Sequence, residues 1–322
     1  MGEPVELDGL LGQRVALRHL VGTREGRPLY SDAVGELDVV GDDVTVLTRR
    51  GPVRVARAAV VAVRAVPPAV ARRAPLAAVR RLEGLCADAW PALVDEPLGD
   101  WRLRSAGGYT GRANSALVIG SPGMPVPDAL DAVRAFASRT GTPTRVQVPV
   151  GSPWEKAVAA EGWVLDAGHR RGAEVSVQVA ALDALAEHGP LDVELPERPD
   201  LRWWELVTGG PPTAAERHVL APETGLVTAF PLLAGPDGTV GGGLRAAVVE
   251  DHLHLSAIEV VAAMRRNGIA TGLVATAARW GRDRGAQWAV LQVALHNTGA
   301  MALYEHLGFV EHHQYRYLVP PA

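Results

Sequence analysis

The chain of 322 residues has one cysteine, Cys86, so no intrachain disulfide can form. That fits a reducing compartment. It has one lysine, Lys156, and arginine carries nearly all of the positive charge. With the abundance of Ala, Val and Gly, this reads as a bias toward GC-rich coding rather than as chemistry. Aromatic residues make up only 5%, and the net charge of −4 gives no general affinity for nucleic acid. Long apolar runs are missing as well. The Ala/Val stretch from Ala56 to Val79 is broken by arginines and by Pro67-Pro68, so it cannot span a bilayer. The opening Met-Gly-Glu-Pro-Val-Glu-Leu-Asp lacks the basic and apolar regions of a signal peptide. A cytoplasmic protein without membrane or nucleic-acid partners is expected. What is present is 48% apolar residues, enough for real cores, in a chain longer than one average domain.

The clearest local pattern lies near the end. An apolar run through Ile258-Glu259-Val260-Val261 leads into Arg265-Arg266-Asn267-Gly268-Ile269-Ala270. After Gly268, the residues Ile269, Leu273, Ala277 and Trp280 recur at spacings of three and four, one face of an amphipathic helix. Arg282, Arg284 and Gly285 supply helix-stop chemistry. The order is strand, short basic loop, helix. A helix N-terminus offers free N–H groups and a positive dipole end. With two arginines and a glycine beside it, this end suits a diphosphate.

The loop's Arg-x-x-Gly-x-Ala resembles the pyrophosphate-binding motif of the GNAT superfamily of N-acetyltransferases. Further on, Asn297-Thr-Gly-Ala-Met-Ala-Leu-Tyr-Glu-His-Leu-Gly-Phe309 resembles that family's Asn-x-x-Ala-x-x-Leu-Tyr-x-x-x-Gly-Phe signature. The resemblance covers about residues 190–322. It implies an α/β (α+β) GNAT fold that holds acetyl-CoA and passes acetyl to an amine acceptor. By that resemblance, Arg265, Arg266, Asn267, Gly268, Ile269 and Ala270 hold the diphosphate. Glu259, Val260 and Val261 offer backbone to the pantetheine arm and thioester. Asn297 caps its helix or touches the cofactor, and Tyr304 protonates the departing thiolate. Ala300, Leu303 and Leu307 are expected to form the buried stripe of that helix, with Tyr304 one step round. Glu259 is the leading base, directly or through a water. Strict alternation puts it on the face of Leu253, Leu255 and Ala257, unless a bulge intervenes.

Acceptor-side candidates are Trp203 and Trp204 on the first helix of this part, and His312 and His313, expected between the last two strands. His252-Leu253-His254 and His312-His313 raise a metal site, but zinc needs three or four ligands and nothing supplies the rest. No metal is expected.

Residues 76–182 repeat the same order of elements. A helix from Pro127 to Ser138 leads to a strand from Arg145 to Val150, then a helix ending at Gly162-Trp163, then a strand from Glu174 to Val179. Gly162-Trp163 pairs with Gly308-Phe309, which sets Val158 where Tyr304 stands and Gly151 where Asn297 stands. Gly120-Ser-Pro-Gly-Met-Pro-Val-Pro127 replaces the Arg-x-x-Gly-x-Ala loop. The first copy is read as a degenerate GNAT-like domain, and residues 183–322 as the catalytic one.

Residues 1–70 read as five short strands cut by Gly and Asp turns, which suggests a small barrel. It is similar to the SH3-like module that precedes the GNAT part in some bacterial acetyltransferases. With no aromatic cluster, it is expected to serve structure or homodimer formation rather than ligand binding. The alternatives left open are a mycothiol-synthase-like acetyltransferase and a non-catalytic acyl-CoA sensor.

Overall fold

The structure is a computed structural model, and it describes residues 7–24, 26–48, 51–66, 74–235 and 237–321. Pro236 and the Pro67-Pro68 pair lie outside these residues. The chain divides into two compact units, Met1–Arg72 and Arg73–Ala322.

The first unit is an antiparallel sheet of β1 (Arg14–Arg24), β2 (Arg27–Val40), β3 (Asp43–Thr48), β4 (Gly51–Ala56) and β5 (Val60–Ala65). The strands lie in the order β4-β3-β2-β1-β5. Val15, Leu17, Leu37, Val44 and Val46 are fully buried on one side. All five expected strands form. Barrel closure between β4 and β5 is not among the pairings of the described residues.

The second unit is one mixed sheet flanked by helices. Its first half contains α1 (Leu76–Asp88), β6 (Val94–Leu98), β7 (Trp101–Ser105), β8 (Ala116–Leu117) and α2 (Val126–Thr140). There follow β9 (Val146–Pro149), α3 (Pro153–Ala160), β10 (Val164–Leu165) and β11 (Glu174–Ala181). After α4 (Leu182–Ala186), the second half begins with α5 (Leu201–Thr208), α6 (Ala214–Leu220), β12 (Val227–Ala229) and β13 (Leu232–Ala234). It continues with β14 (Val240–Val249), β15 (His252–Val260), α7 (Ile269–Arg282), β16 (Trp288–Ala294), α8 (Thr298–His306) and β17 (Val310–Val319).

The two halves repeat one topology. In each, a hairpin leads into a helix and a strand parallel to the hairpin's second member: β8 with β9, and β15 with β16. Gly162 and Gly308, the residues equated by the repeat, both take a left-handed backbone, φ 79° and 85°. Each ends a helix that way without a Cβ penalty.

The halves also exchange their last strands. The sheet runs β12-β14-β15-β16-β11-β17-β9-β8-β7-β6. Thus β11 of the first half lies between β16 and β17, and β17 of the second half lies against β9. The boundary expected near residue 182 falls inside one unit, crossed by the central ladders of its sheet.

Local chemistry explains most element ends. Asp200 caps α5 by accepting from the Trp203 N–H at 2.8 Å. Thr213 and Glu216 form a capping box on α6. β12 and β13 are separated at Pro231, which has no N–H for the ladder. On α7 the stripe Ile269, Leu273, Ala277 and Trp280 is buried against the face that carries Leu253, Leu255 and Leu291.

Candidate active site

β15 and β16 pair only from His252 opposite Trp288 to His254 opposite Val290. Beyond that the ladder ends while both strands continue, and a cleft of about 370 Å³ opens between them. Ile258, Glu259, Val293, Asn297, Ala300 and Tyr304 all border it.

A bulge aims Glu259 into this cleft. The register of β15 on β14 shifts by one residue between Ser256 opposite Arg245 and Glu259 opposite Gly243. Ala257, inside the shift, has φ 47°, a left-handed value uncommon for a residue with a side chain. Ile258 and Val260 therefore join Leu253 and Leu255 on the α7 face. Glu259 moves to the other face, where alternation alone would not put it. It is exposed rather than desolvated.

Tyr304 is 8% exposed and stacks edge-on against Phe309, with ring centres 5.7 Å apart. It lies in the buried stripe of α8 itself with Leu307, while Ala300 and Leu303 are only half-buried. Its hydroxyl has no hydrogen-bond partner among the described residues. Burial, with a smaller push from the Glu259 charge, raises its pKa to about 12. The phenol is thus a donor at neutral pH. Asn297 caps α8, its Oδ1 accepting from the Ala300 N–H at 3.3 Å.

At the C-terminal end of β15, the Val261 N–H donates to the Gly241 carbonyl at 3.0 Å, and Arg265 Nε donates to the Val260 carbonyl at 3.1 Å. Arg266 (φ 67°) and Gly268 (φ 76°) are both left-handed and curl the chain into the first turn of α7. The first helical bond runs from Gly272 N–H to the Gly268 carbonyl. The N–H groups of Ile269, Ala270 and Thr271 therefore have no acceptor within the helix. A Cβ built on Gly268 meets nothing within 4 Å, so the space over this turn is open. Free donors, two exposed arginines and an open approach fit a diphosphate.

The first half contributes the far wall of the cleft, which the sequence did not reveal. Thr110, Gly111 and Arg112 border it from the loop after β7, and Arg170 and Arg171 from the loop before β11. The first loop is set by Asn114. Its Oδ1 accepts from the Ala106 and Gly108 N–H groups, and its Nδ2 donates to the Tyr109 and Thr110 carbonyls.

Behind the cleft, His254 is buried, and its pKa is held well below the usual 6.5 by burial first and then by the Arg112 and Arg245 charges. Its neutral form is bound by the fold, so the unfolded state takes up more protons as pH falls. The stabilisation is complete above pH 6.5 and is lost as pH drops toward the lower folded value. Melting temperature should therefore fall from pH 7 to pH 5, with His254 contributing up to about 1.4 kcal/mol per pH unit. His254→Gln should flatten the profile, and an unchanged slope would remove His254 as its cause.

Two pairs of expected acceptor-side residues lie elsewhere. Trp203 and Trp204 are 0% and 4% exposed. Trp203 donates from Nε1 to the Leu244 carbonyl at 3.0 Å and stacks edge-on against Phe230. Both are core, because α5 is covered by Trp90, Ala106 and Ala113 of the first half. His312 and His313 lie within β17, not between strands. His313 Nε2 is 2.8 Å from Oε1 of the buried Glu83, and His312 borders a separate cavity of about 290 Å³ with Arg81 and His252. Among the described residues, no helix is long and apolar enough to cross a membrane.

Comparison with known proteins gives the family and the fold. A family model described as "Probable histone acetyltransferase Rv0428c C-terminal" matches residues 76–318. The chain is 29% identical over 320 residues to "Probable histone acetyltransferase Rv0428c" of Mycobacterium tuberculosis, covering 96% of this chain and 95% of that one. A GCN5-related N-acetyltransferase from Kribbella flavida shares the fold at TM-score 0.56 and 16% identity, over 78% of this chain and 97% of that one. A tandem GNAT protein from the clavulanic acid biosynthesis pathway does so at TM-score 0.50 and 14% identity, over 79% and 88%. The chain is a GNAT-type acetyltransferase, and it belongs to the family described by the Rv0428c C-terminal model.

Proposed function

We propose that the second half of the second unit transfers acetyl from acetyl-CoA to a primary amine, by direct attack while both are bound. One observation carries this reading: the splay of β15 and β16 brings Glu259 and Tyr304 to one cleft beside the open N-terminal turn of α7. Acetyl-CoA supplies an activated acyl group and a thiolate that must be protonated on leaving. Arg265, Arg266, Asn267, Gly268, Ile269 and Ala270 would receive the diphosphate. Glu259, Val260 and Val261 would present backbone to the pantetheine arm, and Asn297 would border its end. Tyr304, protonated at neutral pH, donates to the thiolate. Glu259, exposed and facing the cleft, takes the proton of the amine directly or through a water. Cys86 is buried, and burial pushes its thiol pKa well up, so it is no nucleophile for a covalent route. A relative is named a probable histone acetyltransferase, and a protein lysine would be one such amine.

The test is thiol release by the pure protein with acetyl-CoA and a panel of amines. Initial-rate lines should intersect as both substrates are varied. Parallel lines would indicate a covalent enzyme, and tight acetyl-CoA binding without turnover of any amine would indicate a sensor.

A further inference from the structure

On the sheet face opposite α7, positive charge collects without an ion-paired carboxylate among the described residues. Arg112 borders the cleft and donates from Nη1 to Gln292 Oε1 at 2.9 Å. Its guanidinium lies 4.5 Å from the centre of the Trp90 ring, and that of Arg245 lies 5.3 Å from the same ring. Arg245 is fully buried. Its Nε donates to the Leu220 carbonyl at 2.6 Å, but neither Nη atom has a hydrogen-bond partner among the described residues. Ser256 sits directly across the ladder from Arg245 and borders the cleft. It is 6% exposed, and its hydroxyl also has no partner. Arg170 and Arg171 border the same cleft. Among the described residues, no carboxylate forms an ion pair with any of these four arginines. Among the described residues, Glu259 is the only acid that borders the cleft.

Arg245 does not border the cleft, so its charge stands behind the wall, and the groups that meet whatever enters are the Arg112 guanidinium and the unpartnered Ser256 hydroxyl, which need an acceptor to complete them. A carboxylate is the natural complement, since it accepts two parallel N–H bonds from one fork. The diphosphate of the cofactor does not explain the cluster. Leu291 and Val293 face α7 with the core, whereas Gln292, His254 and Ser256 alternate to the other side. The arginines therefore serve whatever enters from the side opposite the α7 turn, which is the side Glu259 faces.

We propose that the acceptor is a small amine that also carries a carboxylate, seated on Arg112 and Ser256 with Arg245 behind them, its amine turned toward Glu259 and Tyr304. This rests on the transfer reading above. It also opposes a lysine-rich peptide as the preferred acceptor, since such a chain would meet like charge in a partly desolvated cleft.

The full-length protein is tested with acetyl-CoA and three sets of acceptors: free α- and ω-amino acids, their amides, and a lysine-rich peptide. Amino acids should give kcat/KM at least roughly tenfold above the matched amides, the scale of one charged hydrogen-bonded contact. Arg112→Gln should erase that gap through KM, and Arg112→Lys should restore part of it. Amides or the basic peptide turned over as well as the amino acids would overturn the proposal, as would an equal loss for all sets in Arg112→Gln. If no amine is acetylated, calorimetric binding to the protein loaded with coenzyme A decides the matter separately. Selective, Arg112-dependent binding of amino acids would keep the anion site while the transferase reading falls. Binding without preference would remove the anion site.

Discussion

Tyr304→Phe should lower kcat by on the order of 10²-fold or more, the scale of losing a general acid. KM for acetyl-CoA should change little. The ring is buried against Phe309, and Phe keeps that contact. Only the hydroxyl is lost, and it has no partner among the described residues to leave stranded. Stability should therefore hold, and the melting temperature of the variant serves as the check. The hydroxyl matters when the thiolate forms, which is the pattern of an interaction made only in the transition state. A Phe variant at wild-type rate, with chemistry limiting, would mean a different acid or a water. A collapse of coenzyme A affinity together with rate would make Tyr304 a binding residue instead.

Gly268→Glu should abolish the thermal shift produced by acetyl-CoA. At 100 times its dissociation constant, a ligand adds about 2.7 kcal/mol, which for a unit of this size is roughly 5–10 °C. No atom lies within 4 Å of the new Cβ, so the side chain enters the open space over the α7 turn. There its carboxylate competes for the same N–H groups and repels a diphosphate. The left-handed backbone adds strain of about 1–3 kcal/mol for a side chain such as Glu. Gly268→Asn separates the two effects, because Asn tolerates that backbone and brings no charge. It should keep most of the shift. A full shift in the Glu variant would place the diphosphate elsewhere.

What was legible in the sequence was local. The stripe of α7, the loop before it and the cap at Asn297 depend on neighbours a few residues apart, and each formed as read. The repeat was legible as well, down to Gly162 and Gly308 sharing one backbone conformation. What was hidden depended on contacts between the halves. Two adjacent tryptophans on a short helix suggest one exposed ring. Both are buried because the first half covers α5, which spacing along α5 cannot show. The surroundings of His312 and His313 follow from strand exchange, which sets β17 beside β9 and β11 and brings Glu83 to His313. Glu259 needed a single inserted residue to change faces, and Ala257 carries no signal for a left-handed turn. The cationic wall was missed for a related reason. Arg112, Arg170 and Arg171 belong to a copy that has lost the cofactor loop, and its chemistry appears only where that copy meets the other.

Calorimetric titration of the full-length protein with acetyl-CoA, followed by a crystal structure of the complex, tests the central claim most directly. One site per chain is expected, with the diphosphate on the turn from Arg265 to Ala270 and the acetyl group between Glu259 and Tyr304. Two equal sites, or a single cofactor lodged between β8 and β9 of the first half, would contradict it.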